Sequence, residues 1–159
     1  MFHFFGNSRF TDPKLGELTR SRGYWRGTVA MEAQTDVPLA VAGNRTAPDP
    51  AALAAAHDVA ALFSARRGDI ARALHEHCTP HLEAIAAGEL PVPDTPFPAS
   101  LSPKEIWTHV QFAFVCIGQM GGMLTVEFGL HAAWDEEHIL GARLQAGKLI
   151  ELCGSTIPP

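Results

Sequence analysis

Residues 109–117 read His109-Val110-Gln111-Phe112-Ala113-Phe114-Val115-Cys116-Ile117, and residues 124–132 read Leu124-Thr125-Val126-Glu127-Phe128-Gly129-Leu130-His131-Ala132. Both runs repeat with a period of two, the pattern of strands that bury one face. In the first, Val110, Phe112, Phe114 and Cys116 form the apolar set. In the second it is Leu124, Val126, Phe128, Leu130 and Ala132. A hairpin centred on Met120 sets His109 opposite His131 and Gln111 opposite Gly129, and brings both apolar sets to one side, as a one-sided core requires. A turn near Glu136 then pairs Leu130 with Ala142 and Phe128 with Leu144. It places Glu127 diagonal to Arg143, a cross-strand ion pair. Working outward, the pattern gives C-terminal strands over 107–117, 123–134, 138–145 and 148–153, with turns at 118–122 and 146–147.

The N-terminal part has the same texture. Alternation runs over 16–19 and 24–32, with Trp25, Gly27, Val29 and Met31 on one face, and Ser21-Arg22-Gly23 between the two runs reads as a turn. A third short run, 37–42, ends at Gly43-Asn44, so a three-stranded meander is expected. Between these blocks the period changes. Asp49-Pro50 is a cap followed by a first-turn proline, and Leu53, Ala56, Ala60 and Phe63 recur at helical spacing. Gly68-Asp69 predicts a break with a fresh cap, and Thr79-Pro80 a kink or restart. Gly88 is the expected terminator. Prolines 91, 93, 96, 98 and 103 make residues 89–103 an extended strap that cannot join a central ladder. Ser102-Pro103-Lys104-Glu105 reads as a helix start with the glutamate reaching back. The expected architecture is one α+β domain over 1–159. An antiparallel sheet takes strands 16–42 and 107–153, and helices 50–87 pack on one of its faces.

Composition bounds the function. Of 159 residues, 47% are hydrophobic and 18% charged, enough apolar material for a core and too much for a disordered chain. Three cysteines, an odd and small number, exclude a disulfide scaffold. The opening Met1-Phe2-His3-Phe4-Phe5-Gly6 lacks a basic leader and a cleavage site, so it does not read as a signal peptide. No apolar run is long enough to span a bilayer, so no membrane partner is expected. A cytosolic location with free thiols at Cys78, Cys116 and Cys153 is expected. Residues 1–45 hold six Lys/Arg against four Asp/Glu, and residues 46–159 hold six against thirteen. An acidic body is a poor match for a phosphate backbone, and no nucleic-acid partner is expected. The one basic cluster, Arg20, Arg22 and Arg26, reads as a solvated hairpin end.

Two clusters carry candidate chemistry. Trp134-Asp135-Glu136-Glu137-His138 combines an aromatic ring, three carboxylates and an imidazole at a turn. Asp135, Glu137 and His138, with His109 and His131 brought near by the hairpin, could ligate zinc, manganese or iron. The plainer reading has Asp135 capping its own turn, solvated glutamates, and Trp134 anchoring the turn to the core. His75, His77, Cys78 and His81 are the densest group. His77 and His81 are four apart and could bind a metal from one helix face, but Thr79-Pro80 falls between them, so the default is a dipole-stabilised helix end. Histidine neighbours could lower the Cys78 pKa, whereas Cys116 reads as an inert core thiol. No nucleophile elbow, phosphate loop or dinucleotide fingerprint occurs.

Phe10-x-Asp12-x-x-Leu15-Gly16-x-Leu18, Trp25-x-Gly27, Ser102-Pro103-x-Glu105-Ile106 and Trp134-Asp135-x-Glu137-His138-x-x-Gly141 together resemble a group of bacterial proteins classed only as domains of unknown function. The resemblance spans nearly the whole chain and implies no activity, cofactor or catalytic residue. It implies at most kinship with small acidic immunity or interaction factors. Three functions fit these residues. The first, and leading, is a non-catalytic cytosolic binding or interaction protein, immunity-like, with a protein partner and no cofactor. The second is a divalent-metal protein or metal-dependent enzyme using His109, His131, Asp135, Glu137 and His138. The third is a small-ligand binder with a pocket lined by Trp25, Trp107 and Trp134.

Overall fold

The computed structural model describes residues 6–94 and 97–159; Met1–Phe5, read above as no signal peptide, and Pro96 of the strap lie outside them. Eight strands form one sheet in chain order: β1 (Arg9–Asp12), β2 (Gly16–Ser21), β3 (Tyr24–Met31), β4 (Gln34–Ala42), β5 (Val110–Met120), β6 (Met123–Ala132), β7 (Asp135–Gln145) and β8 (Lys148–Thr156). Between β4 and β5 lie α1 (Pro50–His57), α2 (Val59–Ala86), the strap and a 3-10 turn at Ile106–His109. All pairings are antiparallel except β4–β5, where Leu39, Ala40 and Val41 run parallel to Val115, Cys116 and Ile117. The sheet is therefore mostly antiparallel. A parallel neighbour needs a long crossover, and the helices supply it.

The hairpin registers differ from those expected. Gly121 and Gly122, both at positive φ, make a two-residue turn between paired Met120 and Met123, the tight form whose twist suits flanking strands. The axis thus falls beyond Met120, and Val110 faces Ala132 and Gln111 faces His131. A bulge between Phe112 and Phe114 switches the face of β5. Phe112, Val115 and Ile117 pair with Leu130, Phe128 and Val126, whereas Phe114 and Cys116 point to the opposite side. Cys116 is half-buried beside Tyr24, and burial pushes its thiol up to about 11. In the next hairpin Phe128 faces Ala142 and Leu130 faces Leu140. Glu127 lies directly opposite Arg143, not diagonal to it, and the ion pair forms. Arg143 also donates to Glu151 at 2.8 Å.

Asp49 caps α1 by accepting from Ala52 N at 2.9 Å, as its sequence dictates. The expected break at Gly68 is absent, and the helix divides instead at Asp58. Phe63, Ile70 and Leu74, all fully buried, anchor α2 on both sides of Gly68. Asp69 also pairs with Arg66 and Arg72 at 3.7 and 3.5 Å. These contacts outweigh the ~1 kcal/mol that glycine costs inside a helix. Nor does α2 restart at Pro80. Proline leaves the Glu76 carbonyl without its usual donor. The carbonyls on either side of it gain side-chain donors: Thr79 Oγ1 donates to His75 O and His81 Nδ1 to His77 O, both at 3.0 Å. Gly88, at φ 76°, follows the helix end.

The ring of Phe63 meets Trp107, Phe112 and Phe128 edge-on, with centroids 5.2, 4.8 and 5.2 Å away. β1 is an added strand whose four residues are too few to show alternation. Its last residue, buried Asp12, accepts from Lys14 N, Leu15 N and His57 Nε2 at 2.9, 2.8 and 2.8 Å, tying the first hairpin to α1. Burial pushes the Asp12 carboxyl up, but the bonds from Leu15, His57 and Lys14 prevail and hold it below its ordinary value.

Two outcomes follow from this packing. A Cβ on Gly129 would lie 2.3 Å from the Phe114 ring, so Gly129→Ala should lower stability in urea by about 1–3 kcal/mol. Adding Phe114→Leu should recover part of it, and a Gly129→Ala protein as stable as the parent would refute the contact. For Asp12, a depressed pKa gives stability that is present above the ordinary value of 3.8 and is lost as pH falls through the folded one. The melting-temperature gap between the parent and Asp12→Asn should therefore be full at neutral pH and close in acid. A gap independent of pH would count against it.

Candidate functional site

Because α2 continues through Pro80, His77 and His81 stand one above the other on its surface, as i and i+4 must. Their rings stack with centroids 4.6 Å apart. The β6–β7 turn meets them from the sheet. Trp134, 3% exposed, donates its indole N–H to His77 Nδ1 at 3.0 Å. Neutral His77 thus carries its proton on Nε2. Trp134 anchors the turn, as its sequence suggested. Asp135, also buried, opens β7. One of its oxygens takes a 2.8 Å hydrogen bond from His138 Nδ1, and the other faces His81 Nε2 at 3.5 Å. His77, His81 and Asp135 each offer a ligand atom within 4.8 Å of the other two.

The surroundings set the charges. Burial lowers the His77 pKa, helped by His81 and opposed by Asp135. The hydrogen bond and charge of Asp135 raise that of His138. A cleft of about 330 Å³ opens from this cluster. Its walls are His81 and Ile85 of α2, Leu90–Asp94 of the strap, and the turn from Trp134 to His138.

The expected metal set is divided. His109 and His131 border a neighbouring cleft of about 360 Å³ with Asp135 and Glu136. The His109 ring packs on Phe97, centroids 4.8 Å apart, and His131 is exposed on β6. Glu137 is exposed in the other cleft, and His138 is bonded to Asp135. The structure joins Asp135 and His138 to His77 and His81, two residues from each sequence cluster. The i, i+4 spacing was the available signal, and the unexpected continuity of α2 makes it valid. His75 is spent on the Leu101 carbonyl at 2.8 Å, holding the strap. Burial pushes the Cys78 thiol up to about 11, opposite to the lowering its histidine neighbours suggested.

The tryptophans occupy three different environments. Trp25 is fully buried, donates to Asn44 O at 3.0 Å and packs with Phe10 and Arg20. Trp107 packs on Phe63 beneath Arg67, and Trp134 on His77 and Phe97. Arg26 lies over Tyr24 and donates to Ser21 O and Pro159 O, so it is engaged and not simply solvated.

The family model of a domain of unknown function, DUF6985, matches residues 14–157. The chain belongs to this family. The DUF6985 match takes in every element from β2 to β8, and with them the whole His77–Asp135 cluster. No curated protein and no solved structure matches the chain. Among the described residues of this DUF6985 chain, no helix is long and apolar enough to cross a membrane.

The opposed shifts predict an order of titration. In NMR spectra of the ring protons, His138 should titrate above its ordinary 6.5 and His77 below its own. The stability His138 gains is full below 6.5 and is lost as pH rises through its raised value. Asp135→Asn should bring His138 back toward its ordinary value. The reverse order of the two histidines would contradict the bonding described.

Proposed function

We propose that the chain is a non-catalytic binding protein, and that its cleft between α2, the strap and the β6–β7 turn takes a basic, apolar segment of a protein partner. The observation that carries this reading is the pairing of exposed apolar and acidic groups in one cleft. Leu90 and Val92, 40% and 77% exposed, stand beside exposed Asp94, Glu136 and Glu137. An apolar centre with a charged rim is the usual anatomy of a recognition surface, and the acidic rim favours a cationic partner. The acidic excess after residue 45 extends that field over the body. An immunity-like role, in which the cleft covers a basic surface of a toxin, is one form of this function.

A labelled lysine/leucine peptide and a glutamate/leucine peptide of equal length test the proposal by fluorescence anisotropy. The basic peptide should bind, more weakly as salt rises, and Glu136→Lys with Glu137→Lys should weaken it by about tenfold or more. Equal binding of the acidic peptide, or no effect of the double substitution, would overturn the reading.

A further inference from the structure

We propose that His77, His81 and Asp135 form a binding site for a divalent transition-metal ion of the zinc class, at the inner end of this cleft. His81 is poised as a ligand. Its Nδ1 donates to the His77 carbonyl at 3.0 Å, so in the neutral ring Nε2 bears the lone pair. That lone pair faces a carboxylate oxygen of Asp135 at 3.5 Å. Two lone pairs directed at each other repel unless a proton or a metal cation lies between them. The spacing is long for a hydrogen bond. It is the spacing of two ligand atoms on one tetrahedral ion, since bonds of about 2.0–2.2 Å at the tetrahedral angle separate donors by roughly 3.3–3.6 Å.

The supporting contacts are those that metal ligands need. The second nitrogen of His81 is held by a backbone carbonyl, and the second oxygen of Asp135 by His138 at 2.8 Å, which fixes both groups in orientation. His77 completes the set, its ligand atom within 4.8 Å of the others. Two imidazoles and a carboxylate suit zinc, and three protein ligands leave a position open toward the cleft.

His77 carries a built-in signature. Its Nδ1 accepts from Trp134. If Nδ1 binds the metal, the indole loses its acceptor. If Nε2 binds, Nδ1 takes the proton and two N–H groups face each other. Either way, metal binding releases the Trp134 indole. Removing that competing bond should strengthen metal binding by about two- to tenfold, the net worth of one hydrogen bond.

The test uses the full chain stripped with chelator. Zinc(II) is titrated by calorimetry, cobalt(II) by its visible absorption, and tryptophan fluorescence is followed in both. One ion per chain is expected, with a tetrahedral cobalt spectrum and a fluorescence change that Trp134→Phe largely removes. His81→Ala and Asp135→Asn should each weaken zinc by about tenfold or more, while His109→Ala and His131→Ala leave it unchanged. Trp134→Phe should bind more tightly. Failure of the parent protein to bind a stoichiometric ion would overturn the proposal, whatever the variants do. So would indifference to both His81→Ala and Asp135→Asn in folded protein, or loss of binding in the His109 and His131 variants. Zinc binding is read without peptide, and peptide binding can be read in chelator, so each proposal can fail without the other.

Discussion

The parallel seam between β4 and β5 is the constraint from which the rest of the fold follows. Leu39–Val41 and Val115–Ile117 run in the same direction, so the chain cannot return through a hairpin and must cross from one end of the sheet to the other. The helices, strap and 3-10 turn make that crossing. Phe63 on α2 meets Phe112 and Phe128 of the sheet and Trp107 of the turn, so one ring ties the crossing helix to the turn and strands on which the chain returns. A buried aromatic in such a place is worth about 3–5 kcal/mol against alanine, a large part of the stability of a domain this size.

The site depends on a second feature of the same crossover. A helix broken at Pro80 would turn His81 away from His77. The side-chain donors of Thr79 and His81 supply the carbonyls around the gap, and buried Cys78 keeps that turn against the core. The stacked histidines are thus presented to the β6–β7 turn. That turn is itself fixed by Trp134, whose indole is spent on His77 and whose ring is buried. Helix and turn hold each other through one polar contact and one apolar one.

The acidic knot at Asp135–Glu137 also divides in three dimensions. Asp135 is buried and bonded to His138, while Glu136 and Glu137 are exposed at the mouths of the clefts. Three consecutive carboxylates therefore have two roles. Asp135, paired with Ala132 at the start of β7, is buried at the cluster, whereas Glu136 and Glu137 beyond it both reach solvent.

Local physics was legible in the sequence. Period-two and short β-branched runs placed seven of the eight strands, the Asp49 cap and Gly88 marked helix ends, and Glu127 with Arg143 was recognised as a pair across β6 and β7. Face and register were not legible. A two-residue turn at Gly121-Gly122 and a bulge before Phe114 change which side chains meet, and nothing in the alternation itself shows a bulge. The metal-ligating character of each residue was plain, but their grouping was not. His77 and His81 depend on a helix continuing past a proline, and their meeting with Asp135 spans more than fifty residues of chain. Propensity, period and capping act over a few residues, and they were enough to mark the helical region and every strand but β1. The parallel seam, the unbroken α2 and the His77–His81–Asp135 cluster became visible only in three dimensions. Those depend on burial and hydrogen bonds between segments distant along the chain, and these outweigh the local cost of Gly68 and Pro80.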